Sequence, residues 1–307
     1  MKKLSLQLQK KLHYTMSPFH SPNLTIKPGE TVMLETEDAF SGQIRTEKDK
    51  RDLSTMPFSN PLTGPIRIEG AEKGDTLIVD IKQIRSTIGQ GATYIAPATH
   101  YLTSIPLFQL LSVEFPHATR ICPIRDHKVY FSDNTVLPFE PMIGTIGVAP
   151  EIEAISSRFP GPHGGNMDIP DICPGNRLYL PVYVEGALLY AGDVHATQGE
   201  GESPGGVAIE MPAETTLTID LIKDKTIAWP RLETPKYMGT ILATGTNRTL
   251  EDAVKIAFIE LIFWLEKEYG FNRWDAYQLC TQVSKVCLGN LWTISVRFPV
   301  YYLQNCL

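Results

Sequence analysis

The stretch from His163 to Glu210, HGGNMDIPDICPGNRLYLPVYVEGALLYAGDVHATQGEGESPGGVAIE, decides how this chain is read. Three groups of nitrogen and oxygen donors lie in it: His163, Asp168 and Asp171; then Asp193 and His195; then Glu200 and Glu202. The apolar run Leu178–Val184 between the first two groups reads as a buried strand. Asp193 and His195 are two residues apart, so on a strand both side chains point to one face and can reach one ion. Glycines beside the donors let the backbone take positive φ and approach a small ligand closely. Carboxylates and an imidazole gathered in this way suit a hard or borderline divalent metal.

Working outward, the first 250 or so residues read as short strands between turns. Expected strands include Thr31–Thr36, Thr76–Ile84, Leu178–Val184, Thr215–Ile222 and Met238–Ala243, with clear alternation in TLTIDLI. KPGE at Lys27–Glu30 and EKGD at Glu72–Asp75 read as turns into strands. After Gly245 the period changes. Thr249 is placed to cap a helix, with Asp252 at the reciprocal position of a capping box. Ala253, Val254, Ala257, Phe258, Leu261, Ile262 and Leu265 then follow helical spacing, and Gly270 is a stop signal. A second helix starts near Asn272, and Trp292–Tyr301 returns to strand character. The expected fold is mainly β with a C-terminal helical pair. Residues 1–307 read as a single unit, with a weak sub-domain boundary near 144–150, where Gly and Pro punctuate an apolar run.

Composition narrows the function. With 43% hydrophobic and 20% charged residues the chain has the balance of a globular protein able to bury a large core. Its net charge of −6, without a basic patch, argues against nucleic acid and anionic membranes as partners. The opening MKKLSLQLQKKLHY carries lysines but no apolar core, so it does not read as a secretion signal. No apolar run approaches the roughly 18 residues needed to span a membrane. The five cysteines (Cys122, Cys173, Cys280, Cys287 and Cys306) are irregularly spaced and fit reduced thiols in the cytoplasm.

Several side chains compete for the chemistry. Asp38, in ETEDAF, is either a ligand from a distant part of the chain or a turn residue. Glu140 is a lone acid in the apolar, proline-bracketed LPFEPMIGTIG; burial would raise its pKa and suit it to proton transfer. Glu202, in GEGESPGG, is either a base beside a metal or a solvated loop acid. Asp171 reads as a turn residue. His163, Gly165 and Asn166 are candidate substrate contacts, or a glycine-rich turn whose polar side chains cap backbone groups. GESPG at Gly201–Gly205 matches G-x-S-x-G, but Pro204 and the following strand-like run oppose a nucleophile elbow at Ser203. Cys173 has no activating Lys or His in its local sequence. His13, His20, His100, His117 and His127 are scattered.

GPHGGNMD at Gly161–Asp168, LYLPVYVEGALLYAGDVHATQGEGE at Leu178–Glu202 and the AIE ending at Glu210 resemble the acetamidase/formamidase family. NPLTGPIRIEGAEKGDTLIVDI at Asn60–Ile81 and EPMIGTIGVAP at Glu140–Pro150 are similar to its other segments. The resemblance runs from about Pro18 to Ser284. It implies hydrolysis of short aliphatic amides, formamide or acetamide, to carboxylate and ammonia. It also implies a β/β/α arrangement, a homodimer or higher homo-oligomer, and a divalent metal, zinc ahead of calcium. On that pattern Asp168, Asp193 and His195 take the acidic and imidazole positions, Asp38 the ETxDA position, and Glu140 and Glu202 the carboxylates near the pocket. ESPGG after GEGE departs from the pattern, and the segment after Cys287 is not aligned. Two other readings stay open: a non-catalytic β-rich module binding Ca²⁺, and a metal-free Cys or Ser amidase.

Overall fold

The computed structural model describes residues 1–9, 11–95, 116–204, 206–235 and 239–303; His100, Met238 and Cys306 lie outside them. The expected strands are present with shifted ends: Glu30–Thr36, Thr76–Ser86, Arg177–Pro181, Ala213–Ile222 and Thr240–Thr246. They join four others in a nine-stranded sheet ordered Lys2–Leu4, Glu30–Thr36, Ala213–Ile222, Thr76–Ser86, Arg177–Pro181, Arg231–Thr234, Thr240–Thr246, Thr293–Pro299 and Lys285–Leu288. A five-stranded sheet is ordered Gly164–Asn166, Met142–Val148, Leu189–His195, Leu62–Ile68 and Leu24–Ile26. A four-stranded sheet built from Gln90–Ile95, Ala118–Arg125, Lys128–Ser132 and Thr135–Pro138 lies beside these.

The strands alternate because each sheet face has a different partner. Val32, Leu34, Leu77, Val79, Leu178, Leu180, Leu217 and Ile219 of the large sheet share one core with Ile66, Ile143, Ile146, Leu189, Ala191 and Val194 of the five-stranded sheet. On Thr240–Thr246, Leu242 joins that core while its neighbours Ile241 and Ala243 turn to the other face, under the helices. The result is the expected layering of β on β with helices outside. Met142–Val148, which overlaps the weak boundary expected near 144–150, is a wholly buried strand inside the five-stranded sheet.

The helices begin and end where their caps dictate. The first spans Leu250–Tyr269; the Thr249 side chain accepts from the Asp252 amide, and Gly270 closes it in the left-handed conformation. Asp252 bonds the Thr249 hydroxyl instead of its backbone amide, so the box closes through side chains. The second spans Arg273–Val283 with Asn272 as its N-cap. Ala253, Ala257, Leu261, Trp264 and Leu265 form the buried stripe of the first helix. It rests directly on the sheet at Gly245, where a Cβ would come within 2.3 Å of the Ala253 carbonyl oxygen. The last expected strand is shorter than its apolar run, Thr293–Pro299, and turns into a 3₁₀ segment at Val300–Tyr302. No helix of the described residues is long and apolar enough to cross a membrane.

One buried ion pair fastens the helix to the sheet. Arg231, 5% exposed, lies 2.7 Å from Glu260, 4% exposed, and 2.7 Å from Glu268. Removing one partner of such a pair leaves an uncompensated buried charge, at a cost of about 3–5 kcal/mol. Arg231→Leu, which strands the buried Glu260 carboxylate, is therefore expected to lower unfolding stability by about that much in denaturant titrations. The Arg231→Leu/Glu260→Leu double variant is expected to lose less than the two single losses combined. An unchanged midpoint for Arg231→Leu would contradict this role.

Candidate active site

The five-stranded sheet delivers the donors. Asp193 and His195 end the strand Leu189–His195, and Asp168 follows Gly164–Asn166, which pairs with the other side of Met142–Val148. The segment ending at Glu210 bridges to His195. Asp168, Asp193 and His195 offer ligand atoms all within 4.8 Å of one another, and so do His195, Glu202 and Glu210. Asp168, Asp193, His195 and Glu210 are each 3% exposed or less. The expected pair is brought together, with Asp193 Oδ1 3.6 Å from His195 Nε2, though not by simple strand alternation. Asp193 reaches that point from a left-handed backbone, φ 56°, and Asp168 has φ 50°. Aspartate tolerates this region better than most residues, but such strain costs of order 1–3 kcal/mol and clusters at functional sites.

Gly144 makes the space. The ladder pairs Ile143 with Val194 and Thr145 with Gly192, so Gly144 sits opposite Asp193. A Cβ there would lie 2.7 Å from Asp168 Oδ1, 2.8 Å from Asp193 Oδ2 and 2.9 Å from the Asp193 carbonyl oxygen. The two carboxylates converge over a backbone that must stay bare.

Neighbouring amides and a hydroxyl orient the acids. Asp193 Oδ2 accepts from Asn60 Nδ2 at 2.7 Å. Thr145 Oγ lies 2.9 Å from that oxygen and 2.5 Å from Asn166 Oδ1, with one proton to serve both. Asn166 Nδ2 donates to Asp168 Oδ2 at 3.0 Å. Asn290, in the segment after Cys287, donates from its side chain to the Asn166 carbonyl and from its amide to the Met167 carbonyl at 3.1 Å. That C-terminal segment therefore braces the loop carrying Asp168.

The electrostatics are severe. Four carboxylates surround one imidazole. Burial pushes Asp168 well above the ordinary carboxylate range, Glu202 and Asp193 add to the shift, and His195 opposes it. Burial raises Glu210 in the same way, against the pull of His195. Glu202 is raised too, chiefly by burial. Burial works against a proton on His195, but Glu210 and Asp193 outweigh it and hold the imidazole well above its usual value. Asp168 Oδ1, His195 Nε2 and Glu210 Oε2 are buried without a hydrogen-bond partner. Orphan oxygens around an orphan imidazole nitrogen are the donor set a divalent cation takes, and the nitrogen favours zinc over calcium.

Other expected residues lie elsewhere or do different work. Asp38 is not brought into either donor group. Its Oδ1 accepts from the Phe40 and Gly42 amides, each at 3.0 Å, and its Oδ2 pairs with Arg45, so the turn reading describes it. Glu140 is exposed, so the burial that recommended it for proton transfer is missing; it stands on the wall of a cleft of about 670 Å³. Asp171 is an ion-pair residue, 2.7 Å from Arg297, and lines the same cleft. His163 is buried with neither ring nitrogen bonded, and burial pulls its pKa down to about 4. Gly165, φ 87°, is packed against the Phe159 carbonyl, while Asn166 belongs to the network around the acids. Ser203 donates to the Glu200 carbonyl at 2.9 Å from within a turn, and among the described residues no strand-to-helix elbow surrounds it. Cys173 Sγ lies 3.3 Å from Asn176 Nδ2.

The residues that sequence reasoning passed over are Glu210, Asn60, Thr145 and Gln198. Glu210 carried a signal, as a lone acid closing the apolar VAIE. The burial expected at Glu140 is found at Glu210.

The sequence and fold have known counterparts. A crystal structure of an acetamidase from Yersinia enterocolitica is 43% identical, with TM-score 0.91 over 98% of this chain and 92% of that one. The acetamidase of Mycolicibacterium smegmatis is 29% identical over 256 residues, 65% of this chain but only 63% of that protein, so the chain spans under two thirds of this relative's length. The formamidase of Methylophilus methylotrophus is 27% identical over 293 residues, 77% of this chain and 72% of that protein. The family model for acetamidases and formamidases matches residues 2–159 and 153–288. With that match laid over the same strands that carry Asp168, Asp193 and His195, the chain belongs to the Acetamidase/Formamidase family.

Proposed function

We propose that this chain hydrolyses short aliphatic amides such as formamide or acetamide to carboxylate and ammonia, assisted by a divalent cation, zinc first. The observation that carries the reading is the buried Asp168, Asp193 and Glu210 and the half-buried Glu202 around His195, with three polar atoms unpartnered. Two unit charges 4 Å apart repel by about 4 kcal/mol at an effective dielectric of 20. A cluster of this kind is relieved only by protons or by a cation. Family membership and the named activities of the relatives supply the amide.

Asp168, Asp193 and His195 would hold the cation. When bound, it would lower the pKa of water from about 15.7 toward 7 and polarise the amide carbonyl. Asn60 and Thr145 fix Asp193, and Asn166 fixes Asp168, so the ligands are oriented before substrate arrives. Glu202 Oε1 accepts from the Ala208 amide at 2.7 Å, and we assign proton transfer to its Oε2. That oxygen takes a proton from the attacking water as the C–O bond forms. It returns the proton to nitrogen as the C–N bond breaks, leaving carboxylate and ammonia. Positioned proton transfer of this kind contributes about 10²–10⁴-fold. Glu140 has no part in this scheme, and neither do Ser203 and Cys173.

Ammonia release from formamide, acetamide and longer amides is expected to fall on chelation and to return on adding Zn²⁺; release unaffected by complete metal removal would contradict the reading. Glu202→Gln should keep its metal content and lose about 10²–10⁴-fold in kcat, and an unchanged kcat would remove Glu202 from the chemistry. Gly144→Ala drives a Cβ between Asp168 and Asp193, so elemental analysis should find it depleted in metal, with activity lost in proportion. Full metal and turnover in that variant would show that the two carboxylates need not converge.

A further inference from the structure

We infer that Gln198 is the positioning residue that decides which nitrogen of His195 faces the acid group, and so which nitrogen is open to a cation; this rests on the metal-assisted reading above. The hydrogen positions follow from the far end of the side chain. Gln198 Nε2 lies 2.8 Å from the Asp168 carbonyl oxygen. A backbone carbonyl can only accept, so the amide nitrogen must point there. That orientation turns Oε1 toward His195 Nδ1, at 2.7 Å. The amide oxygen can also only accept, so Nδ1 carries a hydrogen and Nε2 is the one variable position on the ring.

Nε2 lies 3.2 Å from Glu210 Oε1 and 3.6 Å from Asp193 Oδ1, with no hydrogen-bond partner. A lone pair aimed at two carboxylate oxygens is repulsive unless a proton or a cation stands among them. With the opposite tautomer the ring would present an N–H to the carboxylates and would be no ligand at all. Gln198 thus joins two ligand-bearing elements with one amide: it bonds the ring of His195 and the backbone of Asp168. It also lines the cleft of about 670 Å³, whose wall includes Glu140 and Asp171. Among the cleft-lining residues it is the one hydrogen-bonded to the His195 ring. No sequence pattern singles it out, because a glutamine in ATQGEGE has no signature apart from the partners it meets in space. Residues that orient a metal-bound histidine are typically worth about 10–100-fold in metal affinity.

The test is a tautomer measurement on the intact chain. Protein labelled with ¹⁵N in histidine and loaded with Zn²⁺ as the probe metal reports which ring nitrogen carries hydrogen. The His195 signals are identified by their loss in His195→Gln. In the unaltered chain Nδ1 is expected to be protonated and Nε2 not. Gln198→Met is expected to weaken Zn²⁺ binding about 10–100-fold in competition with a chelator. Gln198→Glu keeps an acceptor for Nδ1 and should recover part of that affinity. A proton on Nε2 in the Zn²⁺-loaded chain overturns the inference, and so does Gln198→Met binding Zn²⁺ as the unaltered chain does. If the unaltered chain binds no Zn²⁺, the metal-assisted reading falls and takes this inference with it. That failure is distinct from a Zn²⁺-loaded chain with the wrong tautomer.

Discussion

The structure turns on a repulsion. Asp168, Asp193, Glu202 and Glu210 are held close to one another around His195, all but the half-buried Glu202 shut away from water. Left alone, such a group would take up protons or push apart. The surrounding fold prevents the second. Gly144 leaves room for the carboxylates, the hydrogen bonds from Asn60, Thr145 and Asn166 fix two of them, and the strand Leu189–His195 is anchored in the shared core. Residues at positive φ, Asp168 and Asp193, show that the backbone also bears strain to keep them there.

That arrangement explains why a large β framework surrounds a small site. Fixing charged side chains against their mutual repulsion requires elements that do not yield. The five-stranded sheet has the nine-stranded sheet packed on one face, and the helical layer backs the nine-stranded sheet in turn. The Arg231–Glu260 pair secures that outer layer. The C-terminal segment enters the same scheme through Asn290, which grips the loop before Asp168. A region with no legible role in the sequence thereby becomes part of the site's support.

Much of this was readable beforehand, for local reasons. Period-2 alternation and the switch to helical spacing after Gly245 gave the layers, because each element carries its own burial pattern. Asp193 and His195 were legible as a pair because they lie two residues apart on one strand, although Asp193 departs from extended backbone there. Asp168 was legible through its glycine-rich context. Less legible was the part that distant contacts decide. Asp38 was taken up by Arg45 and two amides of its own turn. Glu140 lay in an apolar run yet came out on an exposed wall, while Glu210, ending a similar run, was buried. Gln198 and Asn60 gave no signal because an amide's value depends wholly on the groups it meets. The family resemblance, running from about Pro18 to Ser284, pointed to the right fold, but it did not distinguish Glu140 from Glu210.

The central claim is that these buried carboxylates and the imidazole are built to take a cation in place of protons. Calorimetric titration of metal-stripped protein with Zn²⁺, repeated in two buffers of different ionisation enthalpy, measures both binding and the protons released with it. The account predicts saturable binding accompanied by proton release, since Asp168, Glu202 and Glu210 are all shifted toward their protonated forms. Absence of binding, or binding with no proton released, would contradict it.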